Sequence, residues 1–209
     1  MFVTRNSKIY QSYQNKTIMK KVLFLAAAAL LSTAAFAQST WKNDPMHSKL
    51  GFTITHLSVS DVDGIFTDFT CTIVASKPDF SDAKFQLTVN VTSVNTDVDY
   101  RDKDLRSANY FDVAKFPTMT FTSTAITPVS TNHYKLTGNL TLHGVTKPVT
   151  MDLWYRGTIT NPMSKKDDAG FKLTGTINRK DFGIASSAPS AMLSEDVTIN
   201  ANGEFAKVN

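Results

Sequence analysis

Strict alternation between apolar and polar side chains runs through the stretch KLGFTIT. Leu50, Phe52 and Ile54 share one parity, and lysine, glycine and threonine stand between and beside them. Successive side chains of a β-strand point to opposite faces, so this stretch predicts a strand with one buried and one wet face. Ser48 and His56 fall on the buried parity, where a polar group needs a hydrogen-bond partner.

The same period of two recurs along the chain and gives about eight short strands. Sequential strands with one wet face favour an antiparallel sheet, and eight strands on one core must close or stack to protect their edges. We therefore predict an all-β fold, an eight-stranded antiparallel up-and-down barrel rather than a sandwich. Turns are predicted at Asp63-Gly64, Lys77-Pro78, Thr131-Asn132, His143-Gly144 and Asp168-Ala169-Gly170. One apolar parity of each strand should form a continuous interior: Leu50, Phe52, Ile54, Phe85, Leu87, Val89, Met119, Phe121, Leu140, Leu142, Met151, Leu153, Phe171 and Leu173.

One segment, residues 96–112, lacks the alternation and contains helix formers. Thr96 is a candidate helix cap, and Asp102 with Arg106 has the i,i+4 spacing of a helical ion pair. We predict a short helical segment that lies across one barrel end through Val98, Leu105 and Phe111.

The N-terminal part has the order of a secretory signal peptide. Lys20 and Lys21 precede an apolar, alanine-rich run that ends in Ala35-Phe36-Ala37. The run is short for a membrane span, so we predict cleavage after Ala37, a periplasmic or secreted protein and no integral membrane segment. Residues 1–18 are interpreted as a start-site extension, residues 19–37 as the signal peptide and residues 38–209 as one β-barrel domain.

The positive charge of the chain belongs to this leader. The whole chain is +4, but residues 1–37 hold five basic residues and no acidic one. Removing them leaves 17 of the 22 Lys and Arg against 18 Asp and Glu, which is a net charge of −1. The net charge of the mature domain therefore gives no reason to expect that it binds nucleic acid.

Motifs for catalysis or metal binding are absent from the sequence. It contains no GxSxG, HExxH or CxxC, and the single cysteine, Cys71, has no adjacent basic residue to lower its pKa. None of the four histidines stands in a metal-ligand spacing. We predict no catalytic residues, no metal and no cofactor.

Five stretches in order resemble the YceI-like family. They are DPMHSKLGFTITHL, VDGIFTDF, RDKDLRSANYFDVAKFPTMTFTST, LTGNLTLHGVTKPV and NRKDFGI, and the resemblance as a whole runs from about Trp41 to Phe205. Asp104 stands where the family often has a histidine. The resemblance implies a lipocalin-like periplasmic or secreted barrel that holds a long isoprenoid or other amphiphilic chain in an apolar tunnel.

On this basis we predict an exported carrier that sequesters an isoprenoid or fatty-chain amphiphile. An enzyme acting on such a lipid and a filled barrel that binds other proteins remain alternatives, and homodimerisation is left open. Five polar residues are candidates for holding the head group: His47, Ser48, His56, Arg101 and Arg106. The arginines have a structural alternative, which is to attach the helix to the barrel rim. Candidates for contact with the apolar chain are Phe52, Phe69, Leu105, Phe111, Phe121, Leu140, Leu142, Trp154 and Phe182.

Overall fold

A computed structural model describes residues 38–208, so the predicted start-site extension and signal peptide lie outside the described part of the chain. The described residues form eleven β-strand segments, one α-helix and two short 3-10 turns, Val91–Ser93 and Arg179–Phe182. The helix, α1, is Asp99–Leu105. The strand segments are β1 (Ser39–Asn43), β2 (Lys49–His56), β3 (Ser60–Phe66), β4 (Phe69–Ala75), β5 (Lys84–Asn90), β6 (Val94–Asn95), β7 (Thr118–Ser130), β8 (His133–Leu142), β9 (Val145–Thr160), β10 (Asp167–Asn178) and β11 (Leu193–Lys207).

The eleven segments make eight barrel strands because three of those strands are interrupted. β1 continues into β2, β3 into β4, and β5 into β6, and the segments pair in matching order, β1 with β4, β2 with β3, β4 with β5 and β3 with β6. β7 to β11 follow as an antiparallel meander. β11 then pairs antiparallel with both β1 and β2, which closes the barrel. The predicted closed, eight-stranded antiparallel barrel is confirmed.

The predicted interior parity is also confirmed. All fourteen of those side chains belong to the core or pack against it as half-buried residues. A closed barrel leaves one face for the core and one for water, so a period of two in the sequence is enough to assign the faces.

Two predicted turns are wrong. Gly64 lies inside β3, and Asp168 to Gly170 lie inside β10. A Cβ on Gly64 would stand only 2.3 Å from the Phe52 ring, so this glycine permits close packing across the strand pair rather than a turn. The β2–β3 hairpin turns instead at Leu57 and Ser58, which both have positive φ.

The helix is shorter than predicted. Residues 106–111 form turns and a bend, and the residue before α1, Val98, makes no side-chain capping bond. The predicted roles of Thr96 and Asp102 are reversed, since the Asp102 carboxylate accepts bonds from the Thr96 amide and hydroxyl at 2.8 and 2.6 Å. Arg106 consequently does not pair with Asp102 and binds backbone carbonyls instead.

The two ends of the barrel are built differently. At one end, the loop between β4 and β5 inserts Phe80, which is 2% exposed and packs on Trp41, Tyr155 and Phe171 at ring distances of 4.9–5.2 Å. We call this the packed end. The opposite end carries the β2–β3 turn and α1, and we call it the hollow end.

Candidate functional site

A cavity of about 430 Å³ occupies the barrel interior between the packed end and the hollow end. All predicted interior residues except Val89 contribute to its wall. Each of the eight barrel strands supplies at least one apolar side chain to the wall: Leu50, Phe69, Phe85, Met119, Leu136, Met151, Phe171 and Val197. This volume lies in the range of pockets that hold small organic ligands, and the wall favours an apolar one.

The cavity reaches the protein surface beside α1. Three exposed residues line it there, namely His56 at the end of β2, and Tyr100 and Asp104 on the helix. Tyr110 also contributes to the wall, and burial, together with the charge of Asp104, raises the pKa of its hydroxyl. Most of the polar side chains of the wall therefore gather at one mouth, where a polar group of a ligand can stay near water.

Thr96 fixes α1 beside this mouth. Its hydroxyl donates to Asp102 and accepts from Arg101 Nε at 2.7 Å, while Arg101 Nη2 donates to the Thr96 carbonyl at 2.7 Å. Thr96 and Asp102 are both 5% exposed, so these bonds are shielded from water. Arg101 lines the cavity, and its Nη1 makes no hydrogen bond within residues 38–208.

Arg106 has the structural role, attachment of the helix to the barrel rim, that the sequence offers as an alternative for both arginines. Its Nε donates to the Thr92 carbonyl at 2.8 Å and its Nη2 to the Val94 carbonyl at 2.6 Å. These bonds attach the end of α1 to the segment around β6. Arg106 does not belong to the cavity wall.

Arg179 organises the loop on the other side of the mouth. It is 2% exposed, and its five N–H groups meet five backbone carbonyls, those of Ile184, Ala185, Ala188, Leu193 and Ser194. A guanidinium has five donors, so every donor is used by the protein itself. Arg179 therefore holds the loop before β11 in place.

The single cysteine lies on the cavity wall near the interruption between β1 and β2. The Cys71 side chain is half-buried because it faces the cavity, and burial away from bulk water raises the pKa of its thiol to about 12. Asn43 Oδ1 accepts from the Cys71 amide at 2.7 Å, at the point where β1 leaves β4. Asn43 Nδ2 is the one fully buried side-chain polar atom without a partner among the described residues.

Ten of the fourteen predicted site residues lie in the cavity wall: Ser48, Phe52, His56, Phe69, Arg101, Leu105, Phe111, Phe121, Leu140 and Leu142. Their contact with a ligand remains a prediction. His56 stands exposed at the mouth instead of being buried, and its imidazole makes no hydrogen bond within the described chain.

The other four predicted site residues do not line the cavity. Arg106 binds the segment around β6, as described above. Trp154 faces outward and stacks on His133 at 5.6 Å, because it has the outer parity of β9. Phe182 is buried outside the cavity wall, where its carbonyl accepts from His143 Nδ1 at 3.0 Å. His47 lies in the interruption between β1 and β2 with 62% of its side chain exposed.

His47 is part of an exposed polar cluster that its sequence position did not reveal. Its Nδ1 hydrogen-bonds the Asp44 carboxylate at 2.8 Å, and this bond raises the pKa of His47 and lowers that of Asp44. Polar atoms of Asp44, His47 and Glu204 lie within 4.8 Å of one another. The direct bond accounts for the pairing of the first two residues, and the absence of a metal remains a prediction.

Residues 41–205 match the YceI-like domain family. The chain belongs to the YceI-like family. The protein YceI of Salmonella newport (strain SL254) is 39% identical over 189 residues, which cover 88% of this chain and 98% of the relative. Within residues 38–208, no helix is both long and apolar enough to cross a membrane.

Solved structures with this fold include YceI-family members. A YCEI protein of Campylobacter jejuni is 33% identical, with a TM-score of 0.68, over 75% of this chain and 91% of that chain. A polyisoprenoid binding domain from Saccharophagus degradans shares the fold at 16% identity and a TM-score of 0.60, over 80% of this chain and 98% of that chain.

Sequence reasoning missed several residues of the wall. Tyr100, Asp104 and Tyr110 line the mouth, and Arg179 lies below it. Tyr110 adjoins Phe111, which is a predicted site residue. Periodicity cannot predict which way the Tyr110 side chain points, because this segment has no regular secondary structure. Arg179 is part of the NRKDFGI stretch, so the family resemblance could have indicated its importance, whereas composition could not.

Proposed function

We propose that this protein binds the apolar chain of an isoprenoid or another long-chain amphiphile inside the barrel. It would act as an exported carrier that sequesters the lipid without transforming it. The observation that carries this proposal is an apolar cavity, walled by all eight barrel strands, whose polar side chains gather mainly at its mouth. The Saccharophagus degradans structure of the same fold is a polyisoprenoid binding domain, which supports this class of ligand.

Apolar burial supplies the binding free energy in this mechanism. Burial is worth ~25 cal/mol per Å² of apolar surface, so a long chain moved out of water gains several kcal/mol before the cost of ordering it. Non-directional burial of this kind selects for chain length and width more than for a chemical group. The polar groups at the mouth would set the position of the head.

No observation favours catalysis. Cys71 is the only thiol of the chain, and with a pKa raised to about 12 it stays protonated at neutral pH. Its sulfur has no hydrogen-bonding base within the described residues. The alternative of a filled barrel has no support either, because the interior contains a cavity.

Cys71 offers a direct test of occupancy because it is a natural reporter inside the cavity. The purified mature protein is treated with a neutral organomercurial chloride, which binds a thiol sulfur with release of its proton and of chloride, with and without a fluorescent prenyl lipid. Bound lipid should slow the labelling, and prior labelling should abolish lipid binding. Native mass spectrometry of protein purified from its own cell envelope would identify the natural ligand. Equal labelling rates at saturating lipid would refute binding in this cavity.

For the head group, we propose contacts with His56 and with the unbonded Nη1 of Arg101. His56→Ala should weaken lipid binding while the unfolding temperature of the apo protein stays unchanged, because the imidazole is exposed and makes no internal hydrogen bond. His47→Ala is the matched control, since His47 lies outside the wall. Equal affinity of the His56 variant and the wild type would remove this residue from the site.

Export is proposed on the signal-peptide pattern of residues 19–37. The intact mass of the protein recovered from the periplasm or medium should correspond to a chain that begins at Gln38. A recovered chain that retained Lys20 and Lys21 would contradict export by this route.

A further inference from the structure

The turn between β2 and β3 exposes large apolar side chains next to the cavity mouth. Leu57 is 52% exposed and Val59 84% exposed, and both follow His56, which lines the mouth. The Leu57 amide donates to the Met192 carbonyl at 2.9 Å, and Met192 is itself 50% exposed. The β2–β3 turn and the loop before β11, which contains Met192, therefore form one continuous surface. We call this surface the mouth rim and define it as residues 57–60 and 184–194.

The mouth rim carries no charge. Its two stretches read LSVS and IASSAPSAMLS, without a single acidic or basic residue. The packed end also exposes apolar side chains, Ile159 at 66% and Met163 at 92%. Charged residues flank both surfaces: Lys165, Lys166 and Asp167 follow at the packed end, and Asp61, Glu195 and Asp196 follow the two rim stretches. The mouth rim therefore differs by lying beside the cavity mouth. Exposed apolar residues without charges fit the interfacial region of a bilayer, where bringing a charge in is costly.

The rim turn holds Leu57 in a left-handed backbone conformation while its side chain stays exposed. Leu57 has φ 49° and Ser58 φ 59°, and the Val59 amide donates to the His56 carbonyl at 3.2 Å. This is the geometry of a type I′ turn, which favours Asn and Gly at its two central positions. A leucine there is unfavourable for folding and finds no core contact that would offset the strain.

We propose that the mouth rim docks reversibly on the surface of a phospholipid bilayer, so that a lipid passes between membrane and cavity without crossing water. This inference rests on the proposed function for its purpose, but its physical basis is the apo surface. Three side chains give weak association, which suits a carrier that must leave the membrane again. A tail that moved through water would expose its whole apolar surface on the way.

The first test uses apo protein and vesicles of phosphatidylcholine with phosphatidylglycerol in a flotation assay. Wild type should float with the vesicles, and the double variant Leu57→Asn, Val59→Ser should lose about tenfold in association. The matched control, Ile159→Asn with Met163→Ser at the packed end, should float like the wild type. Leu57→Asn alone should keep or raise the unfolding temperature, since Asn tolerates this backbone conformation. Equal flotation of the rim variant and the wild type would overturn the proposal.

The second test separates docking from ligand binding. Transfer of a fluorescent prenyl lipid from vesicles should be slower for the rim variant, while its equilibrium affinity for a short, soluble prenyl compound stays unchanged. A wild type that floats but binds no prenyl compound would refute the proposed function and leave docking intact. Sedimentation that shows the rim joining two copies, with no vesicle binding by the wild type, would assign this surface to a homodimer and reject the bilayer.

Discussion

Each end of the barrel holds a bulky apolar residue at a positive φ, and the two residues point in opposite directions. Phe80, at φ 59°, inserts its ring into the packed end and is 2% exposed. Leu57, at φ 49°, leaves its side chain 52% exposed at the hollow end. Such a backbone conformation costs ~1–3 kcal/mol for a residue other than glycine.

The two ends differ in whether burial of the side chain offsets the cost of the backbone strain. Full burial of an aromatic side chain is worth ~2–3 kcal/mol, so Phe80 compensates its own strain within the fold. Leu57 gains no comparable burial. One end of the barrel is therefore optimised for stability, while the other keeps strain, a cavity and an exposed apolar rim.

The largest effect is expected at the packed end. Phe80→Ala should lower the free energy of unfolding by ~3–5 kcal/mol, because it leaves a hole among Trp41, Tyr155 and Phe171. Phe69→Ala, in the half-buried cavity wall, is the matched change at the hollow part of the interior and should cost clearly less. Denaturant unfolding measures both, and equal losses would mean that the two regions do not differ in packing.

Removal of Arg179 should loosen the hollow end next. Arg179→Met leaves the loop carbonyls without donors and should cost ~2–4 kcal/mol, with faster amide exchange in residues 184–194. Arg156→Met is the control, since Arg156 is exposed over Trp154 on the outer wall. A change of this surface residue should stay within ~0.5 kcal/mol. If the loop exchanges at the wild-type rate in the Arg179 variant, the assigned role of this arginine is wrong.

Filling the cavity should convert the hollow part into a packed one. Ala201→Phe places a ring in the cavity wall and should lower lipid affinity at least ~tenfold, which equals ~1.4 kcal/mol. Stability should not fall by a similar amount, because the ring occupies existing space. Thr198→Phe, on the exposed outer face of the same strand, should leave affinity unchanged. Unaltered affinity in the Ala201 variant would place the ligand elsewhere.

Acid should affect the hollow end through a small, exposed contact. Hydrogen bonds from Lys180 and Ser190 lower the pKa of Glu195 from 4.5 to about 2. A depressed folded-state pKa contributes stability that is present above the unfolded value and is lost as the pH falls from about 4.5 to 2. The unfolding temperatures of wild type and Glu195→Gln should therefore converge across this window. If the difference between the two unfolding temperatures stayed constant with pH, Glu195 would not be the group that titrates in this window.

Sequence periodicity was sufficient for the barrel but not for its turns. A period of two assigned every predicted interior residue to the core, since a slip by one residue would have put all of them in water. Gly64 was misassigned because the sequence does not show the Phe52 ring that lies against it. The true turn at Leu57 and Ser58 has neither Asn nor Gly at its two central positions, so local preference pointed away from it.

The strand pattern predicted one part of the candidate site, and the predicted helical segment supplied Arg101, Leu105 and Phe111, which also lie in the wall. Phe52, Phe121, Leu140 and Leu142 lie in the wall, as their parity indicates, whereas Trp154 has the outer parity of β9. The mouth could not be predicted in this way. Its residues come from α1 and from the segments around it, whose orientation is set by long-range bonds such as Arg101 with Thr96.

The sequence by itself determined the closed barrel, its inner and outer faces and the family, because alternation and the ordered motifs are local properties of the chain. Only the tertiary structure decided that the interior is hollow. Whether inward side chains fill a barrel depends on their summed volume against the space enclosed, and on how far loop residues such as Phe80 extend into its ends. That balance involves residues from all eight strands at once, and no single stretch of the sequence contains it.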